Sequence, residues 1–254
     1  SQAPMSAMID AAIQKGLKTI CFTEHMDYDY PPQPGEDSLE FLVDMDGYTK
    51  CLFDLKERYK NKIEVLYGIE LGMMPYLADR YQAVVEKYPF DFIILSIHQV
   101  EDKEFWTQDF QRGRTQKEYN ERYYQEMLDV VKAYKNYSVL GHLDLIKRYD
   151  EAGIYPFENV KPMIEEILKI VIADGKGIEL NTSFHRYGLS DSMPSREILK
   201  LYRELGGEII TIGSDSHKPE HLGAYIDEGH EILKSLGYKQ FCTYENMKPI
   251  FHDL

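Results

Sequence analysis

Six short apolar runs recur along the chain: "LKTICFTEH" (17–25), "IEVLYGIELG" (63–72), "FDFIILSIH" (90–98), "SVLGHLDLI" (138–146), "GIELNTS" (177–183) and "EIITIGSDSH" (208–217). Runs of this length, rich in Ile, Leu, Val and Phe, read as strands buried on both faces. The stretches at 3–16, 44–60, 75–87, 117–135, 158–174, 194–205 and 219–236 have helical periodicity and lie before, between and after those strands, and a last extended piece, "KQFCTY", follows them. This alternation leaves few folds. Crossover helices make neighbouring strands parallel, so the chain is an α/β protein whose sheet is closed as a barrel or open and doubly wound. At 254 residues it suits one domain spanning 1–254, the length at which α/β barrels are built.

Two stretches interrupt the rhythm. "YPPQPGEDS" (30–38) is too proline-rich for a helix and too long for a turn, which suits a loop over an active site. "QVEDKEFWTQDFQRGRTQKE" (99–118) is a second long connection and carries the only tryptophan, Trp106. Phe105 and Trp106 either line a pocket or form a small core within the loop, and the second reading needs less. The other abundant aromatics, among them 20 tyrosines, offer apolar area with a polar tip and read mostly as packing residues.

Charge narrows the range of functions. Asp plus Glu number 43 against 29 Lys plus Arg, a formal net charge of −14, and no basic run occurs. A phosphate backbone would be repelled by such a surface, so nucleic acid is not the expected partner. The three cysteines, Cys21, Cys51 and Cys242, have neither disulfide nor zinc-ribbon spacing and suit a reducing cytosol. No apolar run is long enough to span a membrane and no signal peptide opens the chain, so the reading is a soluble, cytoplasmic protein with a small-molecule substrate, without an assigned oligomeric state.

The ends of the apolar runs carry the chemistry. His25, Glu70, His98 and His142 lie at or near the carboxyl ends of the first four, and Asp215 and His217 end the sixth. The last two are two positions apart, which on an extended segment points both to one face. In parallel α/β folds this edge is where active sites are built. Each residue taken singly has a plain structural reading: a satisfied core histidine, a carboxylate paired with a lysine, a solvated helix cap. Burying all of them together without a compensating cation would be costly, so the set points to metal. Imidazole and carboxylate without thiolate suit zinc, manganese or iron.

The segments "FTEH", "GIELG", "SIH", "GHLDLI", "ELNTS" and "GSDSHKPEHLG", in this order and spacing, resemble the polymerase and histidinol phosphatase (PHP) superfamily. Within it the chain is most similar to the monofunctional histidinol-phosphate phosphatases, from about residue 6 to the end. The resemblance implies a distorted barrel of seven parallel strands with two or three divalent ions at its carboxyl-terminal face. Carried over by position, it implies that Glu70 bridges two metals, Asp215 binds one of them, His98 and His142 complete the other, and His25 with His217 holds a third. Glu70, Asp215 and His217 are then catalytic as well as metal-ligating. The chain departs from the family at its start: the resemblance places a strand with a His-x-His pattern before the first helix, whereas "SQAPMSAMIDAA" reads as the loop after it. A chain cut or renumbered at Ser1 is the expectation, since a lost strand would leave unpaired edges.

Such a centre suits phosphate ester hydrolysis. Paired ions lower the pKa of water from about 16 toward 7 and clamp the attacking and leaving oxygens of an in-line displacement. Phosphate oxygens left over favour the planar fork of arginine, and Arg148 and Arg186, each in a loop after a strand, are placed for that. His185, His221, His230 and His252 are left outside the site. The reaction implied by the resemblance is hydrolysis of L-histidinol phosphate to L-histidinol and phosphate, a step of histidine biosynthesis. The alternatives are a related phosphoesterase acting on nucleotides or other small phosphate esters, and a degenerate barrel without catalysis.

Overall fold

A computed structural model describes residues 3–29 and 42–254; "YPPQPGEDS", read as an active-site loop, lies outside the described residues. The strands are β1 (Thr19–Asp27), β2 (Glu64–Gly72), β3 (Phe92–Ser96), β4 (Gln99–Val100), β5 (Lys103–Glu104), β6 (Val139–Leu140), β7 (Gly177–Asn181), β8 (Ile210–Gly213), β9 (Gln240–Glu245) and β10 (Lys248–Asp253). The helices are α1 (Met5–Gln14), α2 (Met45–Tyr59), α3 (Ala78–Lys87), α4 (Gln116–Ala133), α5 (Phe157–Ala173), α6 (Arg196–Glu204) and α7 (Ile226–Ser235). Three of their starts are written in the sequence as side-chain caps. Thr115 and Glu118 form a reciprocal capping box at α4, and Asp44 and Ser195 accept backbone N–H groups at α2 and α6.

Six strands pair in the order β1-β2-β3-β6-β7-β8, all parallel, and curl into a half-barrel wrapped by helices. This is the α/β architecture expected, a distorted (β/α) barrel. The resemblance implies seven parallel strands, and the sheet of the described residues has six. The inner strands are buried on both faces, as continuous apolar runs require: every residue of β2 after Glu64 is buried, and so is all of β7, whereas β1 and β8 at the sheet edges are only partly so. The outer face packs against residues such as Leu52 of α2, Val131 of α4 and Ile164 of α5.

Register sets the site. His25 is paired with Glu70, and Glu70 with Ile94, so one line across three strands brings an imidazole beside a carboxylate. The strands β6 and β8 are shorter than their apolar runs. After Leu140 the chain bends through His142 (φ +20°) into a 3-10 turn at Leu145–Tyr149, and after Gly213 it turns at Asp215 (φ +47°). The helix expected at 219–236 is a 3-10 turn at Pro219–His221 and then α7, because Gly223 and Tyr225, both at φ +63°, break it between. "KQFCTY" belongs to the antiparallel β9–β10 hairpin rather than to the parallel sheet. In the long connection after His98, Phe105 is buried against Phe110 and Tyr123, which is the small loop core, while Trp106 is half exposed.

Candidate metal centre and active site

The carboxyl edge of the half-barrel gathers all the strand-end residues singled out by sequence. Glu70, on β2 and buried, lies at the middle. Its Oε1 is 3.0 Å from His98 Nε2 and 2.9 Å from His142 Nε2, and it accepts the Ser96 hydroxyl at 2.7 Å. Its Oε2 faces His25 Nε2 at 3.6 Å. The two carboxylate oxygens thus serve two different groups of imidazoles. Beyond them, His217 stands with its ring centroid 5.6 Å from that of His25, and its Nε2 is 3.3 Å from Asp215 Oδ1. Asp215 and His217 do converge, but through a turn past β8 and not along an extended strand, since Asp215 has left-handed backbone.

A carboxylate missed by the sequence reading completes the set. Asp27, two residues after His25 on β1 and buried, holds His25 Nδ1 at 3.2 Å with one oxygen and His98 Nδ1 at 2.5 Å with the other. The pattern that drew attention to Asp215 and His217, two ionisable residues at alternate positions, is present here too. With their Nδ1 atoms turned to Asp27, His25 and His98 present Nε2 to Glu70, an arrangement that fixes tautomer and ring direction in metal-ligating histidines.

The electrostatics are those of a cation site. Burial disfavours charge on Glu70, yet the His25 charge and hydrogen bonds from His142 and His98 hold its carboxyl well below the usual range. Burial works against charge on His25 as well, and Glu70 followed by Asp27 outweighs it, pushing the imidazole up to about 9. Asp27 is held low against burial by His98 and His25, and Asp215 by the His217 hydrogen bond. Glu179 moves the other way, up to about 8, through burial and then the neighbouring Asp215 and Glu70 charges.

The donor set fits divalent metal on three counts. His98 Nε2 and His142 Nε2 are 3.4 Å apart and both aim at one carboxylate oxygen, an arrangement two N–H donors crowd and one cation satisfies. The buried His142 Nδ1 has no hydrogen-bond partner among the described residues. Among the described residues, His25, Glu70 and His98 offer ligand atoms all within 4.8 Å of one another.

Two arginines flank this centre in different ways. Arg148 is nearly buried, donates to Ser183 Oγ at 2.9 Å, stands 3.7 Å from Asp215 Oδ2 and stacks on the Tyr187 ring at 3.8 Å from its centroid. Its Nε is buried without a partner among the described residues. Arg186 donates to the backbone carbonyls of Ser214 and Asp215, bracing the turn that carries Asp215. A cavity of about 330 Å³ opens at His25, Glu70, His142, Asp215 and His217 and runs inward between β1 and β8. His185, His221, His230 and His252 do not line it.

The profile of the PHP domain matches residues 1–183. Among curated relatives, a probable histidinol-phosphatase of Clostridium acetobutylicum is 30% identical over 257 residues, covering 100% of this chain and 92% of that protein. The histidinol-phosphatase of Lactococcus lactis is 29% identical over 246 residues, covering 94% of this chain and 88% of that protein. The crystal structure of the Lactococcus lactis histidinol phosphate phosphatase, complexed with zinc, L-histidinol and phosphate, superposes with a TM-score of 0.86 at 29% identity, over 98% of this chain and 94% of that one. A second solved structure, from Listeria monocytogenes, shares the fold with a TM-score of 0.70 at 18% identity, over 89% of this chain and 94% of that one.

Proposed function

The chain belongs to the PHP domain family, and from that premise we propose that it is a metal-dependent phosphatase hydrolysing L-histidinol phosphate to L-histidinol and phosphate. The observation that carries the chemistry is Glu70, whose two oxygens are divided between His98 and His142 on one side and His25 on the other. The substrate is supported by the full-length likeness to histidinol-phosphatases, one of them crystallised with histidinol and phosphate.

In this reading His25, Glu70, His98, His142, Asp215 and His217 hold two or three divalent ions, of zinc, manganese or iron. Bound there, the ions supply an acidified water and neutralise charge on the phosphoryl oxygens. The chain's own groups do the rest. Glu70 would offer one oxygen to each side of the centre; Asp27 keeps the Nε2 atoms of His25 and His98 turned inward; Arg148, pinned by Ser183 and Tyr187, offers its guanidinium to the phosphate. Arg186 serves the centre by fixing the Asp215 turn through the two carbonyls it holds, and offers its remaining N–H groups to the phosphate. Water attacks phosphorus, the ester P–O bond breaks, and the alcohol leaves with a proton. A role in histidine biosynthesis follows from this substrate.

Purified protein supplied with zinc, manganese or iron and assayed for phosphate release should prefer histidinol phosphate to nucleotides and other small monoesters. Release from nucleotides but not from histidinol phosphate would assign the related phosphoesterase instead. No release from any ester by protein that has taken up metal would leave the non-catalytic barrel.

A further inference from the structure

Two of the proposed ligands sit on backbone that non-glycine residues seldom adopt: His142 at φ +20° and Asp215 at φ +47°. Such conformations persist only where the surroundings hold them. Arg186 braces the second from the carbonyl side. The first is held by a residue to which the hydrolysis described above gives no role. Glu179, on β7 and 5% exposed, accepts the His142 backbone N–H at its Oε2, 3.1 Å away. The same oxygen accepts Asn181 Nδ2 at 3.1 Å, and Asn181 Oδ1 in turn accepts the Ser183 N–H. Alternate residues of β7 and the turn after it thus form one inward-facing line, ending at the Ser183 hydroxyl that Arg148 grips.

Room for Glu179 is built into the neighbouring strand. A Cβ on Gly213 at the end of β8 would stand 2.2 Å from Glu179 Oε1, so only glycine leaves the carboxyl its place. A buried carboxyl lying between the end of β6 and the end of β8, with the backbone of one ligand as its hydrogen-bond donor, is costly for packing alone. We infer that Glu179 is a positioning residue for the metal centre: it fixes the main chain of His142 and thereby aims His142 Nε2 at Glu70 Oε1.

This rests on the reading of His142 as a ligand, and the test separates the two. Zinc affinity of the metal-stripped full chain is measured by competition with a chromophoric chelator for the wild type, Glu179→Ala, Glu179→Gln, His142→Ala and the Glu179→Ala/His142→Ala pair, with circular dichroism and Tm as folding controls. Glu179→Ala should weaken the affected zinc by about 10–100-fold, as losing a group that orients a ligand does. Glu179→Gln keeps an acceptor at the same place and should restore affinity to near the wild-type value. In the His142→Ala background, Glu179→Ala should have no further effect. If Glu179→Ala does not fold, Glu179→Asp, which withdraws the carboxylate by one methylene, takes its place with the same expectation.

Undiminished affinity in the folded Glu179→Ala protein, with His142→Ala losing zinc, would overturn the positioning role and leave the ligand reading standing. Equal losses in Glu179→Gln and Glu179→Ala would also overturn it, pointing to the carboxylate as a direct ligand. Full zinc binding by His142→Ala would remove the ligand reading and the inference with it.

Discussion

Ser96 Oγ, His142 Nε2 and His98 Nε2 all reach Glu70 Oε1, at 2.7, 2.9 and 3.0 Å, while Oε2 is left to His25. That asymmetry gives distinct expectations for single substitutions. Glu70→Ala removes the one group common to both sets of imidazoles and should lower both metal content and turnover, the latter by about 10²–10³-fold or more. Arg148→Ala removes the cation beside Asp215 while deleting none of the proposed ligands. It should cut kcat/KM by roughly 10–100-fold, the weight of one or two charge-assisted hydrogen bonds, with metal content unchanged. Elemental analysis beside steady-state kinetics reads both. Near-normal turnover in a fully loaded Glu70→Ala protein would remove the bridging role, and loss of metal in Arg148→Ala would make that arginine structural. Asp27→Asn offers a third check, since an amide cannot accept from two imidazoles as the carboxylate does. Its metal affinity should fall about 10–100-fold while the fold is kept.

Strand ends were legible because a buried apolar run has no packing reason to finish in His or Glu, and the alternation with helices made the strands parallel. What stayed hidden depended on partners distant in sequence. Asp27 stands at i+2 from His25, but its meaning comes from His98, 71 positions away. Glu179 reads in "GIELN" like any residue of a strand, and only the bend at His142 gives it a role. The short β6 could not be read from "SVLGHLDLI", whose apolar run continues past the bend at Gly141 and His142. The split of the last helix depends on left-handed backbone at Gly223 and Tyr225, which only the glycine signals. A test at this scale lies away from the site. Gly177 opens β7, and a Cβ there would stand 2.4 Å from the Ile209 backbone oxygen, which no side-chain rotation relieves. Gly177→Ala should therefore cost about 1–3 kcal/mol, roughly 3–10 °C in Tm for a chain of this length. Activity per folded molecule should be kept, and a Tm equal to that of the wild type would show that the β7–β8 pairing is looser than described.

Across the whole molecule, the protons and the proposed ions compete for the same groups, and this fixes how stability should depend on pH. His25 is raised in the folded protein to about 9, above its unfolded value of about 6.5. Its contribution is complete below about pH 6.5 and is lost as pH rises through about 9. Glu179, raised to about 8, has the same sign: folding favours its protonated form, so stability falls as pH rises from about 4.5 toward 8. Asp27, Glu70 and Asp215 are lowered and act oppositely, their contribution being lost only as pH falls below the usual carboxylate range. His25 has a third of its side chain exposed, so solvent tempers its share without changing the sign. Protein stripped with a chelator should therefore lose stability from about pH 6.5 to 8.5. With zinc at saturation the trend should flatten or reverse, because ions bind the deprotonated imidazoles and carboxylates and meet less competition as protons leave. The measurement is Tm by calorimetry across that range, with chelator and with zinc, the gap between the two curves widening with pH. His25→Ala should flatten part of the chelator curve. A stripped protein whose Tm rises from pH 6.5 to 8.5 would mean that His25 and Glu179 do not carry the protons assigned to them, and a gap that narrows with pH would separate zinc binding from these ligands altogether.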